Sequence, residues 1–199
     1  MTELRVHDDS ISLDGYGAGP RQSMDEPLGE GAEQLHEWMF AADAPEVDRR
    51  FRNRGTEGFD ATIMERGPPS PHRSRRAPEG GLGGRRPSHD VVVLCHHLPD
   101  PVPMAGGTTF HFVTAGIAAA LERARAVAGG RAIRLGSGVA TVQEYLRAGL
   151  VDELHLVVVP VLLHRGERLF EDLDAALEGW SCVEFAPSRA VTHVRLRRA

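Results

Sequence analysis

The chain has 199 residues, of which 41% are hydrophobic and 26% are charged, and its formal net charge is −5. This composition is typical of a soluble globular protein with one sizeable core. The slightly acidic balance gives no overall field to attract nucleic acid, and no apolar run approaches the roughly 18 residues of a membrane span. We therefore expect one cytoplasmic domain over residues 1–199, with no signal peptide and with no nucleic acid or membrane as partner.

The N-terminal part is predicted to contain two strands and two helices. "ELRVHDDSISLDGYGAG" predicts a strand that runs into a glycine-rich loop, and "GFDATIM" predicts a second strand. "GAEQLHEWMF" predicts a short helix, and "APEVDRRFRNRG" a longer one with Pro45 in its first turn.

The segment 67–89 differs in composition from the rest of the chain. Five of its 23 residues are Pro, five are Gly and five are Arg, and Leu82 is the only large aliphatic residue. Such a segment buries too little apolar area to offset the entropy of ordering, so we expect a flexible loop within the domain.

From Asp90 onward, β-branched runs alternate with amphipathic segments, a pattern typical of strands joined by crossover helices. "DVVVLCHH" and "GTTFHFVT" predict strands, and Thr114 is predicted to cap a helix through Ala128. The unit repeats with a strand over 131–135, a helix over 139–148 and a strand over 153–160 that is buried on both faces. Two alternating strands around "APSR" are predicted to form a closing antiparallel pair. The sequence therefore predicts an α/β fold.

The strongest chemical signal is the turn Gly136-Ser137-Gly138, which joins a strand to the start of a helix. Glycine lets a phosphate approach the backbone, and the helix start supplies unpaired amides with partial positive charge. The pattern departs from the dinucleotide fingerprint, because Thr141 stands in place of its third glycine. An ordinary strand-to-helix turn is the alternative interpretation.

Other residues have two interpretations each. Asp14 could deliver a proton to a reduced substrate, or it could cap its loop by accepting from nearby amides. Trp38 fits a helix that packs on the sheet. His96 and His97 lack a third ligand at a usual spacing, so no metal site is expected. Cys95 and Cys182 lie in apolar runs and are predicted to be core residues without a disulfide.

Four stretches resemble the dihydrofolate-reductase-like fold, and within it the reductase domain of the bifunctional riboflavin-biosynthesis deaminase/reductase. They are "ISLDGYGAGP", "ATIM-E-R", the middle segment that begins "VVVLCHH", and "IRLGSGVATVQEYLRAGLVDELHLVVVPVLLHRGERLFEDL". The resemblance covers almost the whole chain and implies a three-layer fold whose central, mostly parallel sheet is flanked by helices. It also implies an NADPH-dependent reductase that transfers hydride to a small heterocyclic or carbonyl substrate, such as a pterin or a riboflavin precursor.

The resemblance also implies roles for individual residues. The cofactor would be bound by Gly136, Ser137, Gly138, Val139, Arg66 and Thr114. The nicotinamide and substrate would lie beside Leu13, Asp14 and Gly15, with Trp38 lining the substrate pocket. Asp14, as the possible proton donor noted above, is the candidate catalytic residue. A homodimer is expected through the C-terminal strands and the loop near 161–169.

The chain departs from the family pattern at four places: Glu65 before Arg66, Ser137 within the glycine turn, His164-Arg165 in a glycine-rich loop, and the segment 67–89. These departures leave open a cofactor-deficient relative that keeps the fold and binds a small molecule. The segment 67–89 itself could be a mobile surface loop, the product of a local shift of reading frame, or a basic arm for nucleic acid. The arm is disfavoured because it lacks interleaved aromatic residues.

Overall fold

The computed structural model of the protein describes residues 2–23, 25–65, 89–95 and 108–199. Arg66, His96 and His97 lie outside the described residues, as does all of the predicted loop 67–89 except His89. The chain groups into two compact units, one built from Gly58–Ser137 and the other from Glu3–Glu57 with Gly138–Ala199. That residues 1–199 form a single domain stays a prediction.

The described residues contain ten strands, four α-helices and a short 3-10 helix over Ala32–Leu35. The strands are Leu4–Ser12 (β1), Tyr16–Ala18 (β2), Phe59–Glu65 (β3), Asp90–Leu94 (β4), Phe110–Val113 (β5), Ala132–Leu135 (β6), Glu153–Val159 (β7), Glu167–Arg168 (β8), Trp180–Pro187 (β9) and Thr192–Arg198 (β10). The helices are Glu37–Phe40 (α1), Glu46–Glu57 (α2), Gly116–Val127 (α3) and Val139–Arg147 (α4).

The Gly58–Ser137 unit is a parallel sheet with strand order β5-β4-β3-β6. Helix α3 packs against β3 and β4 through Ala120, Leu121 and Ala124, which are all buried. These residues recur at helical spacing, so one face of α3 is apolar and covers the valine-rich strand β4. The unit therefore has the strand-helix-strand character that the sequence predicts.

The other unit has the strand order β1-β7-β10-β9. Strand β7 pairs in parallel with β1 and antiparallel with β10, and β9 pairs antiparallel with β10. Six of the seven residues of β7 are buried, which confirms the prediction of a strand enclosed on both faces. The predicted fold class, α/β with a mixed, mostly parallel sheet and antiparallel C-terminal strands, is confirmed.

Two local predictions are wrong. Helix α3 begins at Gly116 with Ala115 at its N-cap and no side-chain hydrogen bond to the cap, so Thr114 does not cap it. The physical reason is that Gly116, the first residue of the helix, has a left-handed backbone with φ 85°. Thr114 therefore does not directly precede a regular helical turn. Cys182 is exposed on β9 instead of buried in a core, and Cys95 is partly buried; neither forms a disulfide.

The structure also contains a small antiparallel ribbon formed by β2 and β8, which the sequence does not reveal. Its strands have three and two residues, too few for an alternating pattern. In the part of the chain that the structure describes, no helix is long and apolar enough to cross a membrane.

We expect Leu154→Ala to lower the free energy of unfolding by about 2–5 kcal/mol, because it leaves a cavity inside the core. Leu154 is fully buried on β7 between Val6 of β1 and Leu196 of β10. Urea denaturation followed by circular dichroism measures the change. Leu162→Ala is the control, since Leu162 is 55% exposed and should change stability by no more than about 0.5 kcal/mol. Equal effects of the two substitutions would contradict the placement of Leu154.

Candidate functional site

The carboxyl ends of four parallel strands define one edge of the Gly58–Ser137 unit. The strands β3, β4, β5 and β6 end at Glu65, Leu94, Val113 and Leu135. In open α/β sheets, ligands bind outside the carboxyl ends of the strands, near helix starts. The predicted cofactor residues Thr114, Gly136 and Ser137 all follow directly from this edge.

The glycine turn is attached to strand β3 by two hydrogen bonds. The Gly136 amide donates to the Ile63 carbonyl at 2.9 Å, which extends the pairing of β6 with β3. The Glu65 amide donates to the Ser137 Oγ at 2.9 Å. The Ser137 hydroxyl therefore has a structural task that a glycine at this position could not perform.

Helix α4 starts at Val139 without a side-chain cap. Its N-cap residue Gly138 is extended, with φ −67° and ψ 169°, and no acidic residue lies in the first turn. The first amides of a helix have no partners within the helix, so an uncapped start is a favourable place for an anion. Val139 itself is buried and anchors this end of the helix.

The two glycines of the turn are not required by the chain's own backbone. A Cβ at Gly138 would meet nothing within 4 Å, and one at Gly136 would make only ordinary contacts, the nearest at 3.8 Å to Thr62. Neither residue has a left-handed φ that would demand glycine. Their missing side chains leave space against the backbone, which is what a phosphate group would need for close approach.

Thr114 is exposed and lies immediately after β5. Strand β5 is three positions from β6 in the order of this unit, so its end lies about 14 Å along the sheet edge from the glycine turn. Thr114 therefore lies at the same sheet edge as the glycine turn, and its contact with a cofactor stays a prediction. The predicted role of Arg66 falls outside the described residues.

Leu13, Asp14 and Gly15 form a tight turn at the carboxyl end of β1. Leu13 is exposed, Gly15 has φ 85°, and the Gly15 amide donates to the Ser12 carbonyl at 3.0 Å. The Asp14 carboxylate accepts from the Ser12 hydroxyl at 2.6 Å and from the amides of Leu163 and His164 at 3.1 and 2.8 Å. Asp14 therefore ties this turn to the segment after β7.

These hydrogen bonds hold the Asp14 pKa far below its usual value. The Ser12 hydroxyl is the largest cause, the amides of His164 and Leu163 act in the same direction, and together they lower the pKa from 3.8 to about 2. A carboxyl group with this pKa is ionised at neutral pH and holds no proton to give. The geometry thus favours the loop-capping interpretation of Asp14, while its catalytic role stays a prediction.

The loop after β7 accommodates two residues that replace glycine in the family pattern. His164 has φ 63°, an uncommon conformation for a non-glycine residue, and its amide is held by Asp14. Gly166 remains glycine for a steric reason, because a Cβ there would lie 2.0 Å from the Ala18 carbonyl oxygen. Asp14 therefore compensates locally for the strain that His164 introduces.

Trp38 lies in the core and not on an open surface. It is 4% exposed, packs with Val157 and Val191, and donates from Nε1 to the Ser10 Oγ at 3.0 Å. The structure supports the packing interpretation of Trp38; its contact with a substrate stays a prediction. The exposed aromatic residue of α1 is Phe40.

Sequence reasoning missed the residues that close this loop region. Tyr16 donates to the His164 carbonyl at 3.2 Å, and the Arg168 guanidinium lies 4.7 Å from the centre of the Tyr16 ring. The short ribbon β2–β8 brings these residues together although they are about 150 positions apart in the chain. No short-range pattern in the sequence connects Tyr16 with His164 and Arg168.

We expect Asp14→Asn to lower the Tm at pH 7, because the amide cannot replace a carboxylate that accepts from three donors. A lowered folded-state pKa stabilises the fold above pH 3.8, and this contribution is lost as the pH falls through about 2. The Tm difference from the unmodified protein should therefore shrink between those two pH values. Differential scanning fluorimetry across pH measures it, with the exposed Asp25→Asn as control. A Tm difference that is constant with pH would contradict the interpretation.

Comparison with solved structures identifies the fold. A protein from Shewanella sp. PV-4 assigned to riboflavin biosynthesis matches 100% of this chain and 99% of its own, with a TM-score of 0.67 and 21% identity. The dihydrofolate reductase of Enterococcus faecalis, solved with NADP(H), matches 100% of this chain and 96% of its own, with a TM-score of 0.53 and 15% identity. These likenesses confirm the dihydrofolate-reductase-like fold.

A bifunctional enzyme of Thermotoga maritima is also similar. It is a diaminohydroxyphosphoribosylaminopyrimidine deaminase and 5-amino-6-(5-phosphoribosylamino)uracil reductase, with a TM-score of 0.63 and 12% identity. The match covers 100% of this chain but only 57% of the Thermotoga chain. None of the curated protein sequences compared with this chain matches it significantly. The family profile of the RibD C-terminal domain matches residues 8–191, and the chain belongs to that family.

Proposed function

We propose that this protein is an NADPH-dependent reductase that transfers hydride to a small heterocyclic or carbonyl compound of the pterin or riboflavin-precursor class. Its family includes NADPH-dependent reductases, and the E. faecalis enzyme with the same fold was solved with NADP(H). The observation that carries the proposal is the uncapped start of α4 at Gly138, where the missing side chain leaves space that the fold does not itself require.

The residues present fit a dinucleotide phosphate. The first amides of α4 have no partners within the helix, and the helix's own first turn carries no acidic residue, so these amides would bind the negative charge of the pyrophosphate. Ser137 holds the turn against the Glu65 amide, and Val139 anchors the helix start in the core. Thr114, further along the same edge, would lie near the adenosine half, and Arg66 is proposed to meet the phosphates.

NADPH, when bound, would supply the hydride, and the chain would chiefly orient the two reactants. Leu13 and Gly15 are proposed to border the nicotinamide and the substrate. Asp14, ionised at neutral pH, would fix the turn that carries them by binding the amides of Leu163 and His164. In this proposal Asp14 is a positioning residue and does not donate a proton.

We expect the protein to bind NADPH at micromolar concentration and more tightly than NADH, as nicotinamide fluorescence and the rise in Tm would show. Gly138→Leu should weaken NADPH binding at least tenfold while leaving the Tm of the free protein unchanged. The reason is that φ −67° suits any residue and a side chain here meets no protein atom. Ala148→Leu, at the other end of the same helix region, is the matched control and should bind NADPH normally.

Absence of binding of either nucleotide up to millimolar concentration would overturn the reductase proposal. The cofactor-deficient relative that binds a small molecule would then be the better description. If NADPH binds, its oxidation in the presence of pterins, flavin precursors and small carbonyl compounds identifies the substrate class.

A homodimer through the C-terminal strands is part of the same proposal. Strand β9 is the last strand in the order of its unit, and its Val183 and Phe185 are exposed, Phe185 by 65%. The neighbouring Glu184 turns to the opposite face and pairs with Arg54 and Arg195, so Phe185 projects away from α2. Among the described strands, none pairs with the outer edge of β9, and such an edge with exposed apolar residues is a surface that a second copy could cover.

We expect the unmodified protein to have the mass of a dimer in size-exclusion chromatography with light scattering, and Phe185→Arg to shift it to the monomer. Phe40→Arg is the control, because Phe40 is equally exposed but lies at the end of α1. A monomeric mass of the unmodified protein across the accessible concentration range would contradict the proposed dimer.

A further inference from the structure

Three donor atoms converge inside the unit that contains β1 and β7. They are the His7 Nε2, the Asp8 Oδ1 and the His155 Nδ1, all within 4.8 Å of one another. The Asp8 Oδ1 lies 3.3 Å from each of the two nitrogens, and the three side chains are only 5%, 3% and 0% exposed. Two imidazoles and a carboxylate form a donor set that first-row divalent metal ions prefer.

A strained bulge in β1 brings two of these donors together. Val6 pairs with Leu154 and Asp9 with Leu156, so three steps along β1 match two along β7 and one residue is extra. Asp8 in this bulge has φ 61°. Successive residues of a regular strand point to opposite faces, whereas here the side chains of His7 and Asp8 meet. Bulges of this kind redirect side chains near functional sites, and strain at a non-glycine residue points to such a site.

Helix α2 closes over the cluster at a residue that must be glycine. A Cβ on Gly55 would lie 2.7 Å from the His7 Cδ2 and 2.9 Å from the Asp8 Oδ2. Phe51, one turn earlier, stacks on the His155 ring with 4.7 Å between centroids. The cluster is therefore enclosed by close packing and not by a loose polar pocket.

A second layer of hydrogen bonds orients His155. Because the Asp8 amide donates to the His155 Nδ1 at 3.3 Å, the ring proton of His155 lies on Nε2. This Nε2 then donates to the His193 Nδ1 at 3.1 Å, and the His193 Nε2 donates to the Asp48 Oδ1 at 3.0 Å. The same tautomer presents the His155 Nδ1 lone pair toward Asp8. Metal-binding histidines commonly donate their other N–H toward a carboxylate in this way.

The charges of the cluster fit a divalent cation. Asp8 and Asp48 are both buried carboxylates, and the imidazoles of His155 and His193 link them by hydrogen bonds. Buried charges are normally paired or bound to metal. The guanidinium groups of Arg50 and Arg54, which lie over the Phe51 ring, are already paired with Glu184. A divalent ion bound by Asp8 would add positive charge beside these carboxylates.

We propose that His7, Asp8 and His155 bind a divalent transition-metal ion of the zinc class, with His193 and Asp48 as the outer layer. Ligand atoms about 2.0–2.1 Å from a tetrahedral zinc are about 3.3 Å apart, which is the separation of the Asp8 Oδ1 from both nitrogens. Binding replaces the hydrogen bond from the Asp8 amide to the His155 Nδ1. The His7 Nε2 donates to the Phe51 carbonyl in the metal-free protein. Metal binding through Nε2 therefore also requires the His7 ring proton to move to Nδ1.

This site is independent of the proposed reductase function. Its donors come from the middle of β1 and β7, so we expect the ion to hold strands together and not to touch a substrate. The sequence cannot reveal it, because His155 is 147 positions from Asp8. The pair His96-His97, which the sequence analysis considers for metal, lies outside the described residues.

The test is a titration of the chelator-treated, full-length protein with Co²⁺, followed by visible absorption, with Zn²⁺ as competitor. We expect one equivalent of Co²⁺ to bind, Zn²⁺ to displace it, and the Tm to rise with either ion. Asp8→Asn should bind Co²⁺ at least tenfold more weakly, because an amide is a poor ligand, while asparagine tolerates the left-handed backbone. Asp9→Asn, the adjacent carboxylate outside the donor set, is the matched control and should bind Co²⁺ normally.

Two further variants separate metal binding from folding. Asp8→Gly removes the donor and also the strain at φ 61°, so the Tm increase with Zn²⁺, measured from the variant's own metal-free Tm, should disappear. His193→Gln should weaken Co²⁺ binding by about 10–100-fold without changing the stoichiometry. The proposal is overturned if the unmodified protein binds Co²⁺ and Zn²⁺ no better than Asp8→Asn does, or if Asp9→Asn loses as much affinity as Asp8→Asn.

Discussion

A chain of buried hydrogen bonds sets the geometry of the unit that contains β1. It runs from Asp8 through His155 and His193 to Asp48, and it ends at the Ser188 hydroxyl, which donates to the Asp48 Oδ2 at 3.1 Å. Leaving one buried polar group of such a chain unpaired costs about 1–3 kcal/mol. Because its members come from β1, β7, β10 and α2, a shift of any one element would break at least one of these bonds.

Several unusual local features follow from that chain. The bulge in β1 places the Asp8 amide against His155, and the left-handed backbone at Asp8 is the cost of doing so. Gly55 is needed because α2 must approach His7 and Asp8 closely enough for Asp48 to reach His193. Phe51 packs against both imidazole rings, with its centroid 4.7 Å from that of His155 and 4.2 Å from that of His193. The bulge and the requirement for glycine would each be unfavourable or restrictive alone. Both are explained by the hydrogen bonds that link Asp8, His155, His193 and Asp48.

The sequence predicts those parts of the fold that have a long, regular pattern. The buried face of α3 and the nearly continuous apolar run of β7 are both visible in the residue order, and both were predicted within one or two residues. The ribbon β2–β8 has no pattern long enough to detect. The prediction that Thr114 caps α3 is wrong because Gly116 has a left-handed backbone and the helix starts there. The sequence does not show which glycines adopt that backbone angle.

The candidate site also has one part that the sequence predicts and another that it does not. The uncapped helix start after Gly138 was predictable, since glycine turns before amphipathic helices have a known physical use. The buried position of Trp38 and the binding of Asp14 to Leu163 and His164 depend on segments more than 100 positions apart. Spacing in the sequence cannot supply such contacts, so Asp14 was open to two interpretations until the loop was seen.

Two of the departures from the family pattern, Ser137 and His164, are accommodated by hydrogen bonds within the fold. Ser137 uses its extra hydroxyl to hold the Glu65 amide, so the turn gains an attachment that glycine lacks. His164 occupies a left-handed position that favours glycine, but its amide is fixed by Asp14. Glu65 is exposed at the end of β3, where water screens its charge. Ser137 and His164 thus each have a hydrogen-bond partner elsewhere in the fold, and these two contacts are compatible with the proposed reductase.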